Sequence, residues 1–197
     1  HGRPSRAIVA GALTGLANVK HRGAVAADSL TSDGCGLLTT IPRNLFPGDV
    51  GVATLFIRGE DPRPSVEAAA KDEGIEVLQW RTVPVDASFL GELAQYSQPE
   101  VVHVVFSRPA DVANEEVVAY RFRRRIERLV QGTGTYVSSC SYRTIVFKGL
   151  APADGLADVF PDLHDEAFEA PFAIFHQRFS TNTLPTWERS QPFRMLC

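Results

Sequence analysis

FAIFHQRFSTNTLPTW, Phe172 to Trp187, is the stretch on which the reading of this chain turns. Its apolar start predicts a strand over Phe172–Phe179 that runs into a hydroxyl-rich loop. With period-two alternation, Phe172, Ile174, His176 and Arg178 share one face, so a guanidinium stands at the strand end. Ser180, Thr181, Asn182 and Thr183 crowd behind it. Two readings are open. Arg178 forks onto a ligand carboxylate by two parallel hydrogen bonds, with Ser180, Thr181 and Thr183 adding hydroxyl donors. Or it pairs with a buried Asp or Glu while the threonines close a turn. Pro185 and Trp187 suit both, as a rigid turn and a wall.

Upstream, Ser5 is a candidate cap for a helix over 5–19, with Ile8, Ala12, Leu16 and Val19 on one face and His21-Arg22-Gly23 as its terminus. Strands are predicted at Gly36–Ile41 and at Val50–Ile57, where Val50, Val52, Thr54 and Phe56 share a side. Ser65 caps a helix through Asp72. Ile75–Val83 reads as a strand, Asp86–Gln95 as a short helix, Val101–Phe106 as a buried strand and Val112–Val130 as a long amphipathic helix. Thr135–Gly149 gives two strands jointed around Ser139–Tyr142, and Ala151–Leu163 is helical or irregular. Strand pairs at both ends with helices between predict an α+β or layered architecture, with no repeat and no interdomain linker.

The bulk numbers narrow the function classes. The 197 residues are 44% hydrophobic and 22% charged, enough for one domain with a core. A net charge of −3 offers no basic field for nucleic acid. The local run Arg121-Phe-Arg-Arg-Arg125 reads as a solvated helix face. No apolar stretch approaches the roughly 20 residues of a membrane span, and no leader pattern is read at the N-terminus, so a cytoplasmic location is expected. Cys35, Cys140 and Cys197 are scattered, with no metal-ligand spacing, which fits a reducing compartment. Cys35 lies in Ser32–Gly36 beside Asp33, whose charge raises a thiol pKa, so it is a poor nucleophile. Cys140 reads as buried and inert, and His103, between valines, as a satisfied core or edge residue. No pair of carboxylates has acid/base spacing.

Three segments together resemble a known family: HRGAVAADSLTSDGCGLLTTIP (His21–Pro42), SYRTIVFKGL (Ser141–Leu150) and FAIFHQRFSTNTLPTWERSQPFRML (Phe172–Leu196). They look like the amino-terminal glutaminase domain of the glutamate synthase large subunit, a class II glutamine amidotransferase. The last segment matches the family's R-F-S-T-N-T-x-P-x-W signature without a gap. The first departs from the usual D-G-A-G, with Cys35 in place of alanine, and Pro42–Val50 is short for the family.

The resemblance implies a four-layer αββα sandwich of the N-terminal-nucleophile hydrolase type, with the helices over 5–19 and 112–130 on outer faces. It implies L-glutamine as substrate, with Arg178 and Thr181 binding it and Arg22, Gly23, Asp33, Gly34 and Asn182 lining the site. It implies no catalytic residue among these 197. The family's nucleophile is an N-terminal cysteine upstream of where His1 stands, and its oxyanion-hole Asn-Gly follows the position of Cys197. Residues 1–197 are thus expected to be part of a single domain that, alone, does not hydrolyse glutamine. The full-length family enzyme would carry FMN and an iron–sulfur cluster elsewhere. Its partners would be a synthase domain in the same polypeptide or a companion chain, and a small reductase subunit or ferredoxin. Two alternatives are another class II amidotransferase that feeds a sugar or nucleotide synthase, and a catalytically inactive module that binds glutamine or mediates assembly.

Overall fold

The alternation at Val50–Ile57 becomes a central strand whose two faces enter two different apolar clusters: Val52 and Phe56 on one side, Ala53 and Leu55 on the other. A computed structural model describes residues 2–26, 28, 30–110, 112–180 and 183–193 of the protein. Its strands are β1 (Cys35–Thr40), β2 (Val50–Ile57), β3 (Val77–Thr82), β4 (Glu100–Ser107), β5 (Thr135–Ser141), β6 (Thr144–Gly149) and β7 (Ala173–Gln177). Its helices are α1 (Arg6–Asn18), α2 (Arg63–Asp72), α3 (Glu92–Tyr96), α4 (Glu115–Leu129) and α5 (Leu156–Val159).

Two sheets form, in the orders β6-β1-β7 and β3-β4-β2-β5, and every strand pairing is antiparallel. β5 and β6 follow one another across Tyr142-Arg143 yet belong to different sheets. The face of β4 with Val101 and Val105 joins Leu37 of β1 and Phe147 of β6 in one core, which also takes in Val9, Ala12 and Leu16 of α1. The opposite face, with Val104 and Phe106, packs under Val66 and Ala69 of α2 and Val118, Phe122 and Ile126 of α4. α1 lies against β7 and β1, where Gly15 meets the Phe175 ring. The architecture is the expected αββα sandwich.

Between the layers sits a polar cluster. Arg81 donates to both oxygens of Asp162, at 2.8 and 2.7 Å, and approaches His103 Nδ1 at 3.4 Å. His103 is wholly buried and meets Phe46 and Phe147 edge-on, with centroids 5.2 and 5.7 Å away. Burial, and then the Arg81 charge, push its pKa down to about 3, so the ring is neutral.

Several local expectations need correction. Ser5 has cap geometry but makes no side-chain cap bond; its backbone pairs with Ala170 instead. Ser65 lies inside α2, which starts at Arg63, where Asp61 Oδ1 accepts from the first amide at 3.0 Å. The helix expected over Asp86–Gln95 is two pieces, a 3₁₀ turn at Ala87–Phe89 capped by Asp86 and then α3. α3 is held by side chains remote in sequence: Leu93 N–H donates to Asp28 at 3.3 Å and Ala94 N–H to Thr31 Oγ1 at 3.2 Å. The Thr31 hydroxyl and then its amide, both donating to Asp28, hold that carboxyl down to about pH 2. α4 starts three residues later than expected, because the Asn114 side chain accepts from Glu116 N–H at 3.1 Å and sets the cap there.

The arginine run is not simply a solvated face. Arg123 is buried, and Arg121 and Arg125 both grip Glu73 at the end of α2. Burial alone would raise the Glu73 carboxyl; the hydrogen bonds from Arg125 and Arg121 hold it below the usual range. Cys140 is half-buried rather than buried, with its thiol on the Ala119 carbonyl at 3.4 Å. Among the described residues no helix is long and apolar enough to cross a membrane.

Candidate functional site

β7 pairs with β1 from Ala173 opposite Thr39 to Gln177 opposite Cys35. One further backbone bond, Arg178 N–H to the Gly34 carbonyl at 2.9 Å, carries the pairing past the strand end. That bond sets the root of the Arg178 side chain against the turn at Asp33-Gly34. Arg178 is 8% exposed. Its Nη1 donates to the Asp33 carbonyl at 3.3 Å and its Nη2 to Thr183 Oγ1 at 2.7 Å. Both acceptors are neutral, and among the described residues no carboxylate pairs with this guanidinium. A sequestered cation with no carboxylate bonded to it keeps its capacity for an anion, and its planar fork is shaped for a carboxylate.

Asp33 is the pivot of the turn. It is buried, and Oδ2 accepts from Ser180 N–H at 2.7 Å and Ala24 N–H at 3.2 Å. Its carboxylate thus ties the Arg22-Gly23 segment to the loop after β7. Gly34 has φ +103, a region L side chains rarely adopt, and a Cβ there would stand 2.3 Å from Ser190 Oγ. One of the two sequence readings gave the hydroxyls of Ser180 and Thr183 to a ligand; in the structure they bond to Arg178 and within the loop. Thr183 accepts from Arg178, and the Ser180 hydroxyl donates to the Thr183 carbonyl. Thr181 and Asn182 lie outside the described residues.

Gly23 does not itself end the first helix, as the sequence reading expected of His21-Arg22-Gly23. α1 ends at Asn18, a 3₁₀ turn follows over Lys20–Arg22, and Gly23 is extended (φ −98, ψ 148). Glycine is needed there for space: a Cβ would lie 1.9 Å from Gln177 Nε2. Gln177 and Arg22 line a cleft of about 560 Å³ with Val19, His176, Pro192 and Phe193. Gln177 and Gly23 line a second, of about 660 Å³, with Ala24, Ser32 and Asp154. Burial, and then the Arg22 charge, push the His176 pKa below its ordinary value. Cys35 is wholly buried, with its thiol on the Ala151 carbonyl at 3.3 Å; burial, and then the Asp154 charge, push its pKa up. This agrees with its being no nucleophile.

The loop beyond Thr183 is anchored from below. Trp187 is 1% exposed, its Nε1–H on the Ala94 carbonyl at 3.1 Å and its ring edge-on to Phe56. It is a core anchor rather than an open wall. Lys148 is buried too, and its Nζ donates to the carbonyls of Glu188 and Ser190 at 2.8 and 2.9 Å. Gln177, Lys148 and Ser190 escaped the sequence reading. Gln177 offered one signal, its place between the last strand and Arg178.

Over residues 1–197 the chain matches the family described as glutamine amidotransferases class-II. The glutamate synthase [NADPH] large chain of Azospirillum brasilense is 38% identical to it, over 99% of this chain and 14% of its own length. The protein of the same name in Bacillus subtilis (strain 168) gives the same identity and coverage. The ferredoxin-dependent glutamate synthase 2, chloroplastic, of Arabidopsis thaliana is 37% identical over 96% of this chain and 13% of its own length. The chain thus spans about one seventh of these relatives. The match along its whole length and the two facing antiparallel sheets agree: the chain belongs to the class II glutamine amidotransferases.

Proposed function

We propose that residues 1–197 are part of a single amidotransferase domain that serves as the glutaminase of a glutamate synthase. It would hydrolyse L-glutamine to glutamate and ammonia, and the ammonia would be transferred reductively to 2-oxoglutarate. The observation that carries this reading is the Arg178 guanidinium, sequestered on two neutral oxygens inside the R-F-S-T-N-T signature. The α-carboxylate of glutamine supplies the missing charge, with Thr181 as a neighbouring donor. Arg22, Gly23, Asp33, Gly34 and Asn182 form the surrounding wall.

The chemistry is acyl transfer. A thiolate adds to the side-chain amide carbon, and donors stabilise the oxyanion. The C–N bond breaks as nitrogen takes a proton and leaves as ammonia. Water then cleaves the thioester to release glutamate and return the thiol. Cys35 is too deeply buried for the first step. The N-terminal cysteine and the Asn-Gly pair are proposed to come from the rest of a longer polypeptide. Among the described residues no three His, Cys, Asp or Glu side chains converge on a metal-sized point, so these residues do not fit an iron–sulfur cluster. FMN and the cluster are assigned to the synthase portion, in the same polypeptide or a companion chain. The electron donor, a small reductase subunit or ferredoxin, is assigned to that portion too.

Glutaminase kinetics of the full-length protein test the reading. Charge-assisted hydrogen bonds are worth about 1.5–3 kcal/mol, so Arg178→Ala raises the KM for glutamine by about ten- to a hundredfold. Arg178→Lys keeps the charge, loses the fork and still weakens binding. An unchanged KM in both variants rejects the clamp. Glutamine binding without ammonia release would instead assign the protein as an inactive glutamine-binding module.

A further inference from the structure

We propose that Gln177 is a positioning residue for the glutamine site, its carboxamide fixing the Gly23 wall, the Gly34 turn and the Arg178 clamp relative to one another. The inference rests on the reading of Arg178 as the carboxylate clamp. Gln177 is 7% exposed. Its Nε2 donates to the Arg178 carbonyl at 3.1 Å and reaches the Gly34 carbonyl at 3.5 Å. The same nitrogen occupies the space that a side chain on residue 23 would need. The Gly23–Gly34 region and the end of β7, far apart in sequence, therefore meet at one amide.

Stability does not explain this choice of side chain. Gln177 Oε1 is buried and has no partner among the described residues, a condition that folded proteins generally avoid because it costs them stability. A methionine of similar length would fill the volume and exchange one stranded acceptor, Oε1, for another, the Arg178 carbonyl, so the two side chains come out nearly even in stability. What the amide does, and methionine cannot, is hold two carbonyl oxygens on one nitrogen. One of these belongs to Arg178, so the bond fixes the backbone from which the clamp projects. A two-pronged contact tolerates little displacement, and small misplacements of a substrate-orienting group cost large factors.

The test is steady-state glutaminase kinetics on the full-length protein. Gln177→Met should raise the KM for glutamine by about three- to tenfold, the worth of one neutral hydrogen bond. kcat should fall by less than KM rises, and the thermal midpoint should hold. If that variant does not fold, Gly23 still decides the matter. Gly23→Ala drives a methyl group into the amide and should raise KM while lowering the midpoint. The double variant Gly23→Ala/Gln177→Ser relieves the clash, so its midpoint should recover while its KM stays high. A normal KM in folded Gln177→Met, or recovery of KM together with the midpoint in the double variant, would overturn the proposal and leave Gln177 a packing residue. Arg178→Ala and Arg178→Lys, run alongside, separate the two readings. If both leave KM unchanged, the clamp fails and the proposal falls with it; if they raise KM while Gln177→Met does not, only the positioning role is lost.

Discussion

Arg81 and Arg178 are both drawn into the protein, and their partners could hardly differ more. Arg81 lies between the layers with both terminal nitrogens on the two oxygens of Asp162. Arg178 lies at the end of β7 with its nitrogens on a carbonyl and a hydroxyl. The first cation is neutralised by the fold and serves as a strut. The second is oriented by the fold and left charged, which suits a receptor. The contrast teaches that burial of an arginine says little about its role until the charge of its acceptors is known.

The comparison breaks most easily at Arg81. Arg81→Met leaves the Asp162 carboxylate buried without its partner, which should cost about 3–5 kcal/mol of stability in urea unfolding. A loss below about 1 kcal/mol, the range of exposed pairs, would place Arg81 outside the core and erase the contrast.

His103, beside Arg81, gives a pH-dependent version of the same test. Its folded pKa of about 3 lies below the ordinary 6.5, so the unfolded chain binds the proton more readily. Its contribution is whole above pH 6.5 and is lost as pH falls towards 3. At pH 4 the protein should have lost about 3 kcal/mol more than a His103→Phe variant, each measured against its own stability at pH 7. Parallel pH profiles would show that the ring protonates freely and that this region is open to water.

The smallest effect is expected at Arg178. Arg178→Met removes a cation with no carboxylate partner, so stability without ligand should stay within about 1 kcal/mol of the parent. Glutamine or glutamate should raise the thermal midpoint of the parent, by the equivalent of about 2.7 kcal/mol at a hundredfold excess over Kd, and that of the variant at the same concentration by only about 0.4–1.4 kcal/mol. A collapse of the ligand-free variant would make Arg178 a second strut.

The sheets were legible because their signal is local. Alternation in Val50–Ile57 and the apolar runs at Val101–Phe106 and Phe172–Phe175 depend on neighbours in sequence, and the strands fall where the pattern put them. The misses have remote causes. The side chains of Asp28 and Thr31 fix the start of α3 inside the helix expected over Asp86–Gln95, and Glu73 pairs with Arg121 and Arg125 from another helix. At the site, Arg178 stood out as a cation among hydroxyls at a strand end. Gln177 did not, because its meaning depends on Gly23 and Gly34, which no periodicity connects to it.

The junction between β5 and β6 has a consequence for how the domain comes apart. Two residues, Tyr142 and Arg143, carry the chain from the four-stranded sheet into the three-stranded one. Tyr142 is fastened at both ends, its N–H on Glu116 at 2.8 Å and its hydroxyl on the Ser107 carbonyl at 2.9 Å. A joint so short and so firmly held has no slack, so neither sheet can peel away without tearing the other's edge. The two halves of the sandwich are therefore one cooperative unit, and amide hydrogens in β1 and β2 exchange through the same global opening rather than through separate local ones.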